Sequence, residues 1–257
     1  MFFRPKATID EDEESWQLET WGWLLDHLGG VDALRARPSL MPSHDDFPRT
    51  GRSGRDHVEA VFAQVAEAMG VEVEAFRLEE QDASVDPKLG PLAVVQNAPV
   101  DPAGTYSLQD EAHVVTYDPA QAGDLQSLIA TFAHEICHAI LLAIPEPPPG
   151  ADDAPLLEEH ATDLATVFFG FGVFGGNEAF RFEQYQDAAT GTQGWQTRSL
   201  GYLTQNEWGY ALALRAALSG EPLDDTVRHA SSALGTHVRK NARYLARNPQ
   251  IVVDLEG

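Results

Sequence analysis

The chain has 257 residues, 43% of them hydrophobic and 22% charged, a composition that fits a soluble globular protein long enough to bury a core. Its 17 Lys and Arg stand against 40 Asp and Glu, giving a formal net charge of −23. Such a surface repels phosphate backbones and anionic lipid, so neither a nucleic-acid nor a membrane partner is expected.

Cys137 is the single cysteine, which excludes an intrachain disulfide and fits a reducing compartment. The opening MFFRPKATIDEDEESW has no apolar stretch of roughly 7–15 residues behind its positive charges. No run approaches the roughly 18–20 apolar residues that span a bilayer. The expectation is a cytoplasmic protein.

The acidic run Asp10 to Glu14 leads, solvated, into a helix. WQLETWGWLLDHLGG places Trp16, Trp23 and His27 near one helical face, with Gly29-Gly30 as the stop. The tryptophans read as core packing. A Pro-containing connection without periodicity follows, RARPSLMPSHDDFPRTGRSG. A second helix runs through RDHVEAVFAQVAEAMG, with Val58, Phe62, Val65 and Met69 on one face and Gly70 at its end. The period then changes: VEVEAFRLE alternates apolar and charged residues, the pattern of a half-buried strand. PLAVVQN and HVVTYDP predict further strands, with Asp-Pro and Pro-Ala-Gly turns between them. Helices are predicted over 124–144, 155–171, 204–219 and 225–247, and the aromatic-rich stretch 177–203 reads as irregular. The pattern describes one α+β domain over residues 1–257. It has an N-terminal helical portion (1–70), a small sheet with its following helices (71–175) and a C-terminal helical portion (176–257).

Inside the predicted helix 124–144 stands His134-Glu135-Ile136-Cys137-His138. Residues four apart on a helix differ by about 40° in projection, so His134 and His138 stack on one face and can share a zinc ion. Leu128, Ile129, Phe132, Ile136 and Ile140 cluster in a sector almost opposite, so the histidines are not part of the apolar stripe. Glu135 lies on the flank, within reach of a water on the metal. PEPPPGADDAP then breaks the helix, and the next one opens LLEEHATDLATVFF. There Glu159 and Asp163 share a face, opposite Leu157, Ala161, Leu164 and Phe168. Glu159 can complete a His₂Glu site with a fourth position open to water, and Asp163 can accept a ligand histidine's free ring N–H. Glu158 and His160 are the alternative third ligands; Glu158 projects away from Asp163 and His160 lies on the flank. Cys137 projects roughly 100° from His138 and reads as a small buried hydrophobe.

His134-Glu135-x-x-His138 followed about twenty residues later by Glu159-x-x-x-Asp163 resembles the gluzincin branch of zinc metallopeptidases, the thermolysin-like pattern. The resemblance covers residues 105–175. It implies a zincin-like fold with a strand region ahead of the active-site helix, Zn²⁺ as cofactor, Glu135 as general base, Glu159 as third ligand and a peptide or protein as substrate. Leu141, where the elongated metzincin motif has Gly, excludes that branch.

Peptide hydrolysis also needs a hydrogen-bond donor for the charge that develops on the carbonyl oxygen. The C-terminal third offers Tyr202, Tyr210, His229 and His237, and no motif chooses among them. A zinc-stabilised binding or regulatory module that turns nothing over is the alternative, although a structural site has no use for Glu135. GFGVFG (170–175) satisfies G-x-G-x-x-G but follows a helix, so it reads as a helix end and turn. Arg239, Lys240, Arg243 and Arg247 form a basic stripe on the last helix. It reads as a surface stripe paired with the chain's own carboxylates, with an acidic docking partner as the sharper reading. His113, next to Val114, reads as an exposed strand residue or a cleft lining.

Overall fold

A computed structural model describes residues 6–81, 104–110, 112–151, 154, 156–179 and 203–256. The predicted strand at 91–97 and the candidate donor Tyr202 lie outside the described residues. Among those residues the protein is α+β, with ten helices and one three-stranded mixed sheet. The contacts gather into two compact units, Arg49–Ala139 and Met1–Pro48 with Ile140–Gly257.

In the unit Arg49–Ala139, helix α3 (Gly54–Met69) buries Val58, Val61, Phe62, Val65, Ala66 and Met69, the stripe its period predicts, and Gly70 ends it. The strand expected from Val71 begins only at Phe76. Val73–Ala75 is a 3₁₀ turn with no fully buried residue; Val71 and Val73 are half-buried and Glu72 and Glu74 exposed, so the alternation is kept without strand pairing. Strand β1 (Phe76–Glu80) lies parallel to β3 (Ala112–Tyr117), whose other edge carries β2 (Gly104–Gln109) antiparallel. β2 begins at Gly104, the last residue of the expected Pro-Ala-Gly turn, and runs through a stretch for which no strand was predicted. Its GTYSLQ lacks an apolar alternation, and pairing to β3 makes it a strand. Asp110, at φ 49°, turns the chain between β2 and β3, a left-handed conformation that Asp tolerates. Central β3 buries Val114, Val115 and Tyr117.

Helix α4 (Leu125–Leu142) is buried on more than its apolar sector. Leu128, Ile129, Phe132 and Ile136 are fully buried as expected, but so are Ala133 and Cys137, and His134 and Glu135 are only 8% and 5% exposed. Phe132 meets Phe62 edge-on at 5.2 Å and Tyr117 at 6.1 Å, fixing the helix over α3 and β3. Contrary to the sequence expectation, α4 is long and apolar enough to cross a membrane. However, 61% of it is buried within the protein, as in the core helix of a globular fold.

The other unit contains α1 (Glu11–Leu28), α2 (Gly30–Arg35), α5 (Leu156–Phe168), α6 (172–179), α7 (Gln205–Ser219), α8 (Asp224–His229), α9 (Ser232–Leu245) and α10 (Gln250–Glu256). Asp10 and Glu13 form a reciprocal cap at the start of α1. Its buried face carries Gln17, Thr20, Trp21 and Leu24 along with the expected Trp23, while Trp16 is half-buried and His27 lies at the surface. The single helix expected over 225–247 is two. The chain extends at Ala230 and restarts where the Ser231 side chain accepts the Leu234 N–H. Gly170, at φ 95°, turns the chain beneath Pro38, whose carbonyl oxygen lies 2.3 Å from where a Cβ would stand, so only glycine fits. The helix resumes as α6, so GFGVFG is a turn followed by a helix start.

Long-range polar contacts tie the N-terminal segment to the C-terminal helices. The Thr8 N–H donates to Asn241, Tyr210 and Tyr244 both donate to Glu14, and Arg35 pairs with Glu256. Buried Arg215 donates to Ser39 Oγ, Glu221 and the Arg37 carbonyl.

Candidate metal centre

The spacing of four on α4 does what the sequence predicts. His134 and His138 turn their Nε2 atoms toward each other at 3.1 Å, with ring planes at 80°. Two ligands bonded at about 2.0–2.1 Å to a tetrahedral zinc stand roughly 3.3 Å apart, so this separation suits a shared ion. Glu159 joins them: one ligand atom from each of His134, His138 and Glu159 lies within 4.8 Å of the others. Among the described residues this is the group able to hold a metal, and neither Glu158 nor His160 belongs to it. Two imidazoles and a carboxylate fit zinc with an open fourth position, and accept other divalent ions as well.

Glu135 is buried beside His134. A Cβ placed on Gly104 would stand 3.3 Å from the Glu135 Oε1, 2.5 Å from the Thr131 Cγ2 and 2.8 Å from the Thr116 carbonyl oxygen. Gly104 is thus the residue that lets β2 lie close against this stretch of α4. Two residues along the same face of β2, the ring of Tyr106 lies parallel to that of His138, with 8° between planes and 6.0 Å between centroids. Tyr106 Oη and His113 Nδ1 are hydrogen-bonded at 2.8 Å, and burial raises the Tyr106 pKa. His113, expected as an exposed strand residue or a cleft lining, is half-buried, and no sequence signal marked Tyr106. Only the pairing of β2 with the recognisable strand HVVTY could have found it.

Asp163 is buried, and its Oδ2 accepts the Leu203 N–H at 3.0 Å, anchoring the residue just ahead of the α7 cap. Its backbone carbonyl accepts the Thr166 hydroxyl. Of the candidate donors, Tyr210 is fully buried and its hydroxyl donates to Glu14 at 2.7 Å; burial first, and then that carboxylate, push its pKa up. His229 holds its Nδ1 3.0 Å from the Asp225 carbonyl. His237 packs over Gly209 on α7, and burial followed by Lys240 lowers its pKa. Next to Glu159 in the chain, His160 meets Trp16 edge-on at 5.8 Å, while the Trp16 indole N–H donates to the Pro149 carbonyl at 3.0 Å. Trp16 therefore braces the turn and helix that carry Glu159.

Arg239, Lys240, Arg243 and Arg247 are exposed, and among the described residues none forms an ion pair, so the expected pairing with the chain's own carboxylates is not observed.

Compared with family models, with curated proteins and with solved structures, the chain matches none. Any functional reading rests on the residues themselves.

Proposed function

We propose that this protein is a zinc-dependent metallopeptidase of the gluzincin type, acting on a peptide or protein in the cytoplasm. The observation that carries the reading is the convergence of His134, His138 and Glu159 within 4.8 Å, with the Glu135 carboxylate buried beside the first of them. His134, His138 and Glu159 would hold the ion. A zinc ion held there would lower the pKa of its bound water to about 7 and polarise a carbonyl oxygen. Glu135 takes a proton from the attacking water as its oxygen adds to the peptide carbon. It delivers that proton to the amide nitrogen as the C–N bond breaks. Enclosure of Glu135 keeps bulk water from competing for that transfer. Three protein ligands with an adjacent carboxylate suit turnover better than a closed structural site, which takes four ligands.

The test is metal content and cleavage on protein purified without chelator. Wild type should carry about one zinc per chain, as a single His₂Glu site requires. Glu159→Ala should lose it, and Glu135→Gln should keep the metal while losing cleavage of a mixed peptide library. Metal-free wild type after zinc supply would refute the site. Full zinc in Glu159→Ala would refute the third ligand. Metal without cleavage in the wild type would leave the zinc-stabilised binding module.

A further inference from the structure

We propose that Tyr106 and His113 are positioning residues that set the His138 ring for metal binding, an inference that rests on the metal reading above. A histidine side chain turns about two soft torsions, and a ligand is effective only when its nitrogen is already aimed. The Tyr106 ring supplies a wall for that aim, parallel to His138 within 8°. The wall is itself fixed. In the β2–β3 register Tyr106 stands opposite Val115 and Leu108 opposite His113, so Tyr106 and His113 are diagonal neighbours on one face of the sheet. Their side chains are hydrogen-bonded at 2.8 Å. His113 stands opposite Phe76 in the β1–β3 register, and those rings meet at 5.2 Å. Phe76, His113 and Tyr106 therefore form a row of rings that crosses all three strands and ends on a metal ligand. The same sheet face bears Gly104, which makes room for Glu135. One strand thus serves both the candidate ligand and the candidate base.

Tyr106→Phe keeps the ring and removes the hydroxyl, whereas Tyr106→Leu removes the wall. Zinc affinity, measured by competition with a chromophoric chelator, should fall about 10–100-fold in Tyr106→Leu, the usual cost of losing a group that orients a metal ligand. It should stay within a few-fold of wild type in Tyr106→Phe. Cobalt(II) in place of zinc reports ligand geometry directly. Its visible bands should shift in Tyr106→Leu and match wild type in Tyr106→Phe, a distinction that a general loss of stability does not produce. His113→Leu, which removes the ring that supports Tyr106 from the side at 5.8 Å as well as the bond to its hydroxyl, while leaving the stack on His138, should weaken zinc binding by less than Tyr106→Leu but more than Tyr106→Phe. It decides the matter alone if Tyr106→Leu does not fold by circular dichroism. Wild-type affinity and cobalt spectra in Tyr106→Leu, or in His113→Leu where it stands alone, overturn the proposal while the metal site stands. Wild type that binds neither zinc nor cobalt overturns the metal reading and this inference with it.

Discussion

Replacing Gly104 with Ala adds a single methyl group where β2 meets α4. That methyl would stand 2.5 Å from the Thr131 Cγ2, 2.8 Å from the Thr116 carbonyl oxygen and 3.3 Å from the Glu135 Oε1. A carbon needs about 3.5–4.0 Å to its neighbours, so something must move. The Thr116 oxygen belongs to the backbone of β3 beside the β2 ladder and gives least. Thr131 can rotate, but its hydroxyl donates to Gln121 at 3.2 Å, and rotation forfeits that bond. Overpacking of this kind costs about 1–3 kcal/mol. The backbone contact, together with the Thr131 hydrogen bond at about 0.5–1.5 kcal/mol, puts Gly104→Ala near the upper end. Urea unfolding of the metal-free protein should show that loss in the midpoint with the slope unchanged. Thr131→Ser deletes the nearest clashing atom, so the double variant should recover roughly 1 kcal/mol as coupling between adjacent sites. Cleavage by Gly104→Ala should fall as well, because Glu135 is the third group displaced. A destabilisation below about 0.5 kcal/mol, the level of an ordinary surface change, would refute the claim that Gly104 sets the approach of β2 to α4. Strict additivity of the two substitutions would do the same.

Two further substitutions test the packing within each unit. Arg215 is 1% exposed and holds Ser39, Glu221 and the Arg37 carbonyl, and burial lowers its pKa. Arg215→Met should cost about 2–3 kcal/mol in urea unfolding. That is less than the full loss for a buried pair, because Glu221 stays partly exposed and keeps its bonds from Ser39; a loss under about 1 kcal/mol would show the cluster to be ornamental. The Tyr117 hydroxyl donates to Glu80, and burial, followed by that carboxylate, pushes its pKa up to about 12 from 10.0. The unfolded chain releases this proton near pH 10 while the folded protein keeps it, so the stabilisation is complete below pH 10 and is lost as pH rises toward 12. Urea midpoints taken across that window should fall less steeply in Tyr117→Phe than in wild type, and identical slopes would contradict the assignment.

The candidate metal-binding pair was legible because helical spacing is a local rule. Four residues fix the relation of His134 to His138 whatever surrounds them. The stripe of α3 and the bounds of α4 follow from the same period. What the chain alone withheld depends on partners distant in sequence. β2 is GTYSLQ, unremarkable until β3 pairs with it, and with β2 went Tyr106. The alternation at Val71–Glu74 is as regular as any strand, yet among the described residues it takes no place in the sheet and a 3₁₀ turn forms from Val73. The break at Ala230 was readable in principle, since Ser231 stands three residues before Leu234 as a cap should, but the apolar and basic periodicity ran on through it. The wheel sets His134 outside the apolar stripe of α4, yet His134 and Glu135 are themselves buried, a fact of packing that no helical wheel contains.

The ties between the first and last helices have a consequence in time. Thr8 bonds to Asn241 across 233 positions, Tyr244 to Glu14 across 230, and Arg35 to Glu256 across 221. On the ribosome α1 is made early, yet α7, α9 and α10, which receive it, are among the last segments to emerge. At synthesis rates of about 5–20 residues per second, Trp21, Trp23 and Leu24 therefore wait on the order of ten seconds or more with their apolar face uncovered. For that interval the nascent chain presents the kind of surface that chaperones hold.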